Sequence, residues 1–236
     1  MRTPKTALLL IGSPKPGASS SESLGAYLLE DLEKRGLKTQ TLKVAQAVRT
    51  EEATEGLYAA VAVADLIVLS FPLYVDSLPA PAIRALELIA ARRAAGSGAA
   101  DASAGDADAV AGPAFVAICQ SGFPDVDHSE VALEICRNFA TAAGFEWNGG
   151  LILAAGGMIG GQPLAKLKGM MRSAVRALDL SAEALAAGRP VPDEAVRLMA
   201  KMPIPAFGYR FMANRGWHSQ FKKRGEGESL KAQPYA

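Results

Sequence analysis

The chain has 236 residues, half of them apolar, and a formal net charge of +1. This length suffices for one substantial hydrophobic core, and the near-neutral charge gives no overall attraction to nucleic acid or to an anionic membrane. Two cysteines and two histidines are too few for a disulfide framework, and no metal site is expected. No stretch reaches the roughly 18 to 20 apolar residues of a membrane span, so we expect a cytoplasmic protein.

Short apolar segments alternate with helical patterns, which predicts βαβ units and a parallel sheet. The predicted strands are Thr6–Gly12, Lys38–Val44, Asp65–Phe71, Pro113–Gln120 and Phe145–Ala154. The predicted helices are Ser21–Arg35, Glu51–Val63, Pro81–Arg93, Ser129–Ala143, Leu164–Leu178, Ala182–Ala187 and Asp193–Met202. Right-handed crossovers between five strands predict a flavodoxin-like, doubly wound α/β sheet of order 2-1-3-4-5, followed by extra C-terminal helices and a tail.

Two segments interrupt this pattern. Residues Ala94–Gly112 are almost entirely Ala, Gly, Ser and Asp, so they cannot bury much apolar surface and are expected to form a flexible insertion. The Gly149-Gly150 pair lies inside the fifth predicted strand and predicts a bulge or a sharp bend there.

The loop after the first strand, Ser13–Ser23, predicts a phosphate site. It is rich in serine and leads directly into a helix, whose first N–H groups are unpaired and favour an anion. It lacks the Gly-Lys-Ser/Thr ending of a Walker A loop and the second and third glycines of a dinucleotide fingerprint. The alternative is an ordinary serine N-cap with no ligand.

The segment Ser70–Pro81 leaves the third strand at the same predicted edge of the sheet. Its prolines stiffen it, and Leu73 and Tyr74 offer flat apolar surface beside which backbone N–H groups could face a ring system. The alternative is a proline-rich connection that only covers the end of the sheet.

Two motifs carry a resemblance to a known family: Gly-Ser-Pro-Lys…Ser-Ser-Ser and Phe-Pro-Leu-Tyr-Val-Asp-Ser-Leu-Pro-Ala-Pro. Over about Thr6–Leu153, the chain resembles the NAD(P)H-dependent FMN reductase and flavodoxin-like oxidoreductase family. The resemblance implies non-covalently bound FMN, NAD(P)H as co-substrate, and a homodimer or homotetramer. It implies a phosphate loop lined by Ser13, Lys15, Ser19, Ser21, Glu22 and Ser23, and a flavin ring bordered by Pro72, Leu73, Tyr74, Val75 and Asp76. Residues 1–161 would form the FMN domain, and residues 162–236 a helical extension with an aromatic and basic tail packed on it.

The chain departs from that family in two ways. The segment Pro16–Ala18 is inserted in the phosphate loop, which leaves open which serines contact phosphate. The chain also continues about 75 residues past the fifth strand, longer than a minimal member of the family.

Two further loops follow strands at the same edge. In the loop after the fourth strand, Ser121 and Gly122 could donate N–H groups to the flavin edge where negative charge develops on reduction, and Phe123 could pack on the ring. His128 is either a proton donor to the acceptor or a surface or capping residue. The glycine-rich segment Ala155–Leu164 is either a wall over a nicotinamide or a substrate, or a mobile linker into the last helices.

The tail after Met202 carries the aromatic residues Phe207, Tyr209, Phe211, Trp217 and Phe221 among basic residues. This pattern could bind single-stranded nucleic acid, the phosphates of NADPH, or a partner subunit. We expect its aromatic side chains to pack on the main domain or across a dimer, and expect neither nucleic acid nor membrane as a partner.

The sequence thus predicts an FMN-dependent oxidoreductase that transfers a hydride from NAD(P)H through the flavin to a quinone, a flavin or another small acceptor. No side chain is predicted to act as a catalytic acid or base, because the cofactor carries the chemistry. The alternatives are an electron carrier and a non-enzymatic binding or scaffold protein of the same fold.

Overall fold

A computed structural model describes residues 3–97, 112–167, 169–202 and 204–223. Its strands form one parallel sheet of order β2-β1-β3-β4-β5, which confirms the predicted flavodoxin-like topology. The strands are β1 Thr6–Ile11, β2 Lys38–Lys43, β3 Leu66–Pro72, β4 Ala114–Gln120 and β5 Glu146–Leu153.

Helices cover both faces of the sheet. They are α1 Ser20–Lys34, α2 Val44–Ala47, α3 Glu51–Val63, α4 Ala80–Ser97, α5 Glu130–Ala142, α6 Arg172–Ala186, α7 Asp193–Met199 and α8 Ala206–Lys223. Short 3₁₀ turns occur at Asp127–Ser129, Gly156–Ile159 and Leu164–Leu167.

Alternation along β1 divides the hydrophobic core between the two faces of the sheet. Leu9 and Ile11 belong to the cluster under α1 and α6, whereas Leu8 and Leu10 belong to the cluster under α3, α4 and α5. Successive side chains of a strand point to opposite faces, so a strand with apolar residues at every position is buried on both sides. The two edge strands are less buried: β2 has exposed residues, and most residues of β5 are half-buried.

The fifth strand contains the predicted bulge. The register with β4 shifts between Phe115 and Ala117, opposite Gly149, whose φ is +117°. A Cβ atom added to Gly149 would lie 2.9 Å from the Cβ of Val191. Glycine is therefore required at this position both by the backbone conformation and by the close approach of the segment before α7.

The boundaries of the C-terminal helices differ from the prediction. The segment predicted as a helix from Leu164 begins instead as a 3₁₀ turn, and α6 starts at Arg172 and continues unbroken to Ala186. The predicted break near Ser181 was wrong, since the helix continues through it. The Ser181 hydroxyl donates to the Ala177 carbonyl one turn back, at 2.7 Å. A buried serine is satisfied inside a helix in this way.

The region of the predicted insertion is only partly described. Helix α4 continues through residues 94–97, which were predicted to lie outside it, and residues 98–111 fall outside the described residues. The two cysteines, Cys119 and Cys136, are buried and free, as predicted. Burial raises the pKa of the Cys119 thiol to about 12 and also raises that of Cys136. Within the described ranges, no helix is long and apolar enough to cross a membrane.

The tail forms helix α8, which the sequence analysis did not predict. We expected its aromatic side chains to pack on the main domain or across a dimer. Phe207, Phe211 and Trp217 are 77%, 69% and 69% exposed and so do not pack on this domain, while packing across a dimer stays a prediction. The side chain of Tyr209 is the exception, because its hydroxyl donates to the Gly122 carbonyl at 2.6 Å.

Candidate functional site

A cleft of about 360 Å³ opens at the carboxyl ends of β1, β3 and β4. In a sheet of this order, β2 is added on one side of β1 and the later strands on the other side. Ligands of such folds bind in the crevice that forms between β1 and β3, where the strand order reverses. The lining residues are Ser13, Lys15, Ser19, Ser20, Pro72, Leu73, Tyr74, Gln120, Gly122, Gly157, Gly160 and Gly161.

Seven of the predicted site residues therefore lie together around the cleft. They are Ser13, Lys15, Ser19, Pro72, Leu73, Tyr74 and Gly122. The other seven do not line it: Ser21, Glu22, Ser23, Val75, Asp76, Ser121 and Phe123. Sequence reasoning missed Ser20 and Gln120 altogether, and it left Gly157, Gly160 and Gly161 open between a wall and a linker.

The start of α1 forms one end of the cleft. Ser19 is the N-cap: it has an extended backbone, and its hydroxyl accepts the Glu22 N–H at 3.1 Å. Among the described residues, no hydrogen-bond partner is found for the N–H groups of Ser20 and Ser21. These donors, the hydroxyls of Ser13 and Ser20 and the ammonium group of Lys15 give this end of the cleft the character of an anion site.

Three of the predicted phosphate-loop side chains have other partners. Ser21 is fully buried against the sheet: its carbonyl accepts the Ser70 hydroxyl at 2.7 Å, and its own hydroxyl lies 3.5 Å from the Gln120 side-chain nitrogen. The Ser23 hydroxyl donates to the Ser19 carbonyl at 3.1 Å. Glu22 pairs with Lys43 of β2 at 3.2 Å, outside the cleft.

A tight turn after β3 forms the opposite end of the cleft. Tyr74 and Ser77 exchange backbone hydrogen bonds of 2.8 and 3.0 Å across Val75 and Asp76, whose φ angles are +49° and +56°. Two consecutive positive φ angles are typical of a type I′ turn, which favours Asn and Gly. A β-branched residue such as Val75 is strained there, and its side chain is 98% exposed.

Hydrogen bonds fix the position of this turn. Its preceding residue, Leu73, donates its N–H to the Gln120 carbonyl at 2.8 Å. At the tip of the turn, Asp76 lies 3.4 Å from His128 Nδ1, and the other ring nitrogen lies 3.7 Å from Asp125. These three side chains are about half exposed, so the contacts orient the turn more than they stabilise the fold.

The loop after β4 differs in detail from the expectation. The Ser121 N–H donates to the Leu153 carbonyl at 3.0 Å, so this donor faces the neighbouring strand and not the cleft. For Gly122 N–H, no acceptor is found among the described residues. Phe123 packs against the His128 ring, with ring centres 5.0 Å apart, and is 52% exposed.

The glycine-rich segment after β5 closes the third side of the cleft. A Cβ atom on Gly156 would overlap Oε1 of Gln120, and one on Gly161 would lie 2.7 Å from the Ala18 carbonyl oxygen. Gly160 and Gly161 have φ angles of +61° and +78°. These contacts and conformations make the segment an ordered wall of the cleft.

Helix α8 lies at the mouth of the cleft. Tyr209, which bonds Gly122, also has its hydroxyl 3.9 Å from the position of a Cβ on Gly157. Burial raises the pKa of the Tyr209 hydroxyl, which keeps it in the protonated form that donates the hydrogen bond.

A larger cavity, of about 450 Å³, lies at the opposite end of the strands. It is lined by the amino ends of β3, β4 and β5 and borders Gly112, the first described residue after the gap at 98–111. The Asp65 carboxylate in this region is bonded to the N–H groups of Lys5 and Thr6. Because ligands of this fold class bind at the carboxyl ends of the strands, we assign the candidate site to the smaller cleft.

The sheet order and the position of the cleft define a flavodoxin-like α/β protein. Residues 6–119 of the chain match the model of the NADPH-dependent FMN reductase family, which confirms the resemblance predicted from the sequence. The matched segment includes the loop after β1 and the turn after β3, the two motifs that carried that resemblance.

Solved structures show the same fold at low sequence identity. An NADH:FMN oxidoreductase in its apo form is 13% identical, with a TM-score of 0.53, over 85% of this chain and 96% of that one. A flavone reductase is 13% identical, with a TM-score of 0.57, over 83% and 65%. An FMN-dependent NADH-azoreductase from Bacillus anthracis in complex with FMN is 15% identical, with a TM-score of 0.51, over 77% and 99%. No curated protein matches the sequence.

Proposed function

We propose that the chain is an FMN-dependent oxidoreductase that transfers a hydride from NAD(P)H to a small acceptor such as a quinone or a flavin. The observation that carries the proposal is the cleft itself, which joins an anion-binding end at Ser13, Ser20 and Lys15 to an apolar end at Leu73 and Tyr74. FMN has the same division between a phosphate and a flat ring. The family of residues 6–119 supports this assignment.

The phosphate of FMN fits the end of the cleft at the start of α1. The unpaired N–H groups of Ser20 and Ser21 point along the helix axis, where the helix dipole favours an anion. The hydroxyls of Ser13 and Ser20 supply neutral donors, and Lys15 supplies a positive charge. Ser19 is committed to capping the helix, so its role is to hold these donors in position.

The ring fits the end formed by the turn after β3. Leu73 and Tyr74 provide apolar surface, and among the described residues no acceptor is found for the N–H group of Gly122. Bound FMN would supply the hydride-accepting chemistry at its ring. The chain's own residues bind the ring, orient it and present fixed N–H dipoles to its polar edge.

The open side of the cleft is bounded by Tyr74 and the glycine-rich wall at Gly157–Gly161. We infer that the donor and the acceptor occupy this space in turn. The similar proteins are named for NADH and the family for NADPH, so the proposal keeps both nucleotides as candidate donors.

Titration with FMN tests the proposal, with Ser20→Glu as the informative variant. A carboxylate at this position would face the phosphate, and because juxtaposed like charges cost several kcal/mol, we expect the dissociation constant to rise at least about a hundredfold. Ser20→Ala is the matched control; it removes one neutral donor, for which we expect a change of about fivefold.

Anaerobic addition of NADH or NADPH to the FMN complex then tests the reaction. Bleaching of the flavin absorption by one nucleotide supports the oxidoreductase and identifies the donor. Bound flavin that neither nucleotide reduces would favour the electron carrier, and absence of FMN binding at micromolar concentration would favour the scaffold protein.

A further inference from the structure

Helix α8 presents an exposed aromatic face. Phe207, Phe211 and Trp217 are 77%, 69% and 69% exposed. At about 100° per residue, these three side chains fall within an arc of roughly 120° on the helix. The exposed polar residues Asn214 and His218 lie in the same arc, and exposed aromatic residues bordered by polar ones can mark an interaction surface. We call the three aromatic residues the aromatic face of α8.

Tyr209 connects the helix to the rest of the protein. Tyr209, Ala213 and Gly216 are half-buried and lie on the side away from the aromatic face. Tyr209 anchors this side through its hydrogen bond to Gly122. The orientation of the helix is therefore set by Tyr209, and the three residues of the aromatic face are exposed, as is Met212 at 56% on another side of the helix.

The helix is also strongly basic. It contains Arg210, Arg215, Lys222 and Lys223 and no acidic residue, although the whole chain has a net charge of only +1. The remainder of the chain is therefore net acidic, and the sequence of this helix carries an excess of positive charge. Arg210 lies within the aromatic arc and Arg215 at its border.

We propose that the aromatic face of α8 binds an anionic lipid surface, with the helix lying in the plane of the headgroups. Aromatic rings are favoured at the boundary between headgroups and acyl chains, and neighbouring basic side chains extend toward the anionic headgroups. Because basic residues occur inside and beside the arc, we place the helix at a headgroup surface and not deep in the bilayer. We expected no membrane partner because the net charge of the chain is close to zero. That net charge is a sum over the whole chain, so it does not reveal the basic residues of α8.

A second copy of the chain fits the face less well. A two-fold contact centred on α8 would bring together two helices with four basic residues each in their sequence and no acidic residue on the helix to offset them. An anionic lipid surface has the opposite charge and can contact all three aromatic side chains at once.

Lipid binding by α8 would bring the cleft close to the lipid surface. The helix is anchored at Gly122, which lines the cleft, and Tyr209 lies near Gly157 on the opposite wall. An acceptor dissolved in the lipid would then reach the site directly. This consequence rests on the proposed function, whereas the lipid binding itself does not.

Sedimentation with vesicles tests the proposal on the full chain without FMN. We expect the protein to bind vesicles of phosphatidylcholine mixed with phosphatidylglycerol, not vesicles of phosphatidylcholine alone, and expect added salt to weaken binding. The combined variant Phe207→Ser, Phe211→Ser, Trp217→Ser should lose the binding. The variant Arg210→Gln, Arg215→Gln should lower the partition coefficient about tenfold.

Val131→Ser on α5 is the matched control, since Val131 is also an exposed apolar residue of a helix, at 57%. It should bind like the wild type. Binding that survives the triple substitution would overturn the proposal, as would absence of binding to the mixed vesicles at low salt. A dimer, or binding to a single-stranded oligonucleotide, that the triple substitution abolishes while vesicle binding is absent would assign the face to that partner instead. Failure of FMN titration would leave this result untouched.

Discussion

The backbone of Gly161 lies directly against the carbonyl of Ala18, so that a Cβ atom on Gly161 would be 2.7 Å from that oxygen. This contact joins the glycine-rich segment after β5 to the loop before α1. The two segments are far apart in the sequence, and together they enclose one side of the cleft. The shape of the anion-binding end therefore depends on a residue with no side chain.

We predict that Gly161→Ala lowers both stability and FMN affinity. Alanine at a φ of +78° costs about 1 kcal/mol, and the clash with Ala18 adds about 1–3 kcal/mol. Gly160→Ala is the matched control, because Gly160 has a φ of +61° and no atom within 4 Å of an added Cβ. Urea unfolding and FMN titration of both variants measure the two effects. Equal losses in the two variants would contradict the importance of the contact.

Val75→Gly should stabilise the protein. Val75 has a φ of +49° at a position that is 98% exposed, so its side chain contributes strain and little packing. Removing the Cβ atom should relieve about 1 kcal/mol. Val75→Ala keeps the Cβ atom and should gain much less. The free energies of unfolding in urea decide the matter, and a glycine variant no more stable than the alanine variant would show that the turn is unstrained.

The sequence predicted the position of the phosphate loop but not which serines face it. The pattern of strand, serine-rich loop and helix placed the loop correctly at the cleft. The helix begins at Ser20, and its rotation turns Ser21 inward to contact Gln120 and Ser70 while Ser20 faces the cleft. That rotation is set by packing of the helix against the sheet, which the local sequence does not contain.

The sheet was easier to predict than the C-terminal region for a physical reason. Buried parallel strands are continuous apolar runs, so their order of occurrence is visible in the sequence. Helix α8 instead exposes its aromatic residues and contains Gly208 and Gly216, which lower helix propensity. Its helical pattern was therefore obscured. The contact of Tyr209 with Gly122 is a tertiary interaction across 87 residues.

Stability should fall at alkaline pH through Tyr27. The Tyr27 hydroxyl donates to Asp179 at 3.0 Å, and burial, with that carboxylate next in effect, raises its pKa from 10.0 to about 12. The unfolded chain releases the Tyr27 proton at a lower pH than the folded protein does. The stabilisation that Tyr27 gives to the fold is therefore full below pH 10 and is lost as the pH rises toward 12. Tyr27→Phe lacks this proton.

Urea unfolding at a series of pH values from about 8 to about 12 measures the difference in the free energy of unfolding between wild type and Tyr27→Phe. We expect this difference to be constant below pH 10 and to shrink above it. Using the difference removes the titration of lysines common to both proteins. A difference that stays the same up to about pH 12 would show that release of the Tyr27 proton is not linked to unfolding.

Tyr209→Phe should loosen α8 and leave the rest of the fold unchanged. The hydroxyl makes a hydrogen bond of 2.6 Å to Gly122, and its loss should cost about 1 kcal/mol of local stability. Hydrogen exchange of the α8 amides should accelerate roughly fivefold, while exchange in the sheet stays the same. Tyr58→Phe on α3 is the matched control, because among the described residues no hydrogen bond of that hydroxyl is found. Exchange in α8 that is identical in the wild type and both variants would mean that other contacts hold the helix at the mouth of the cleft.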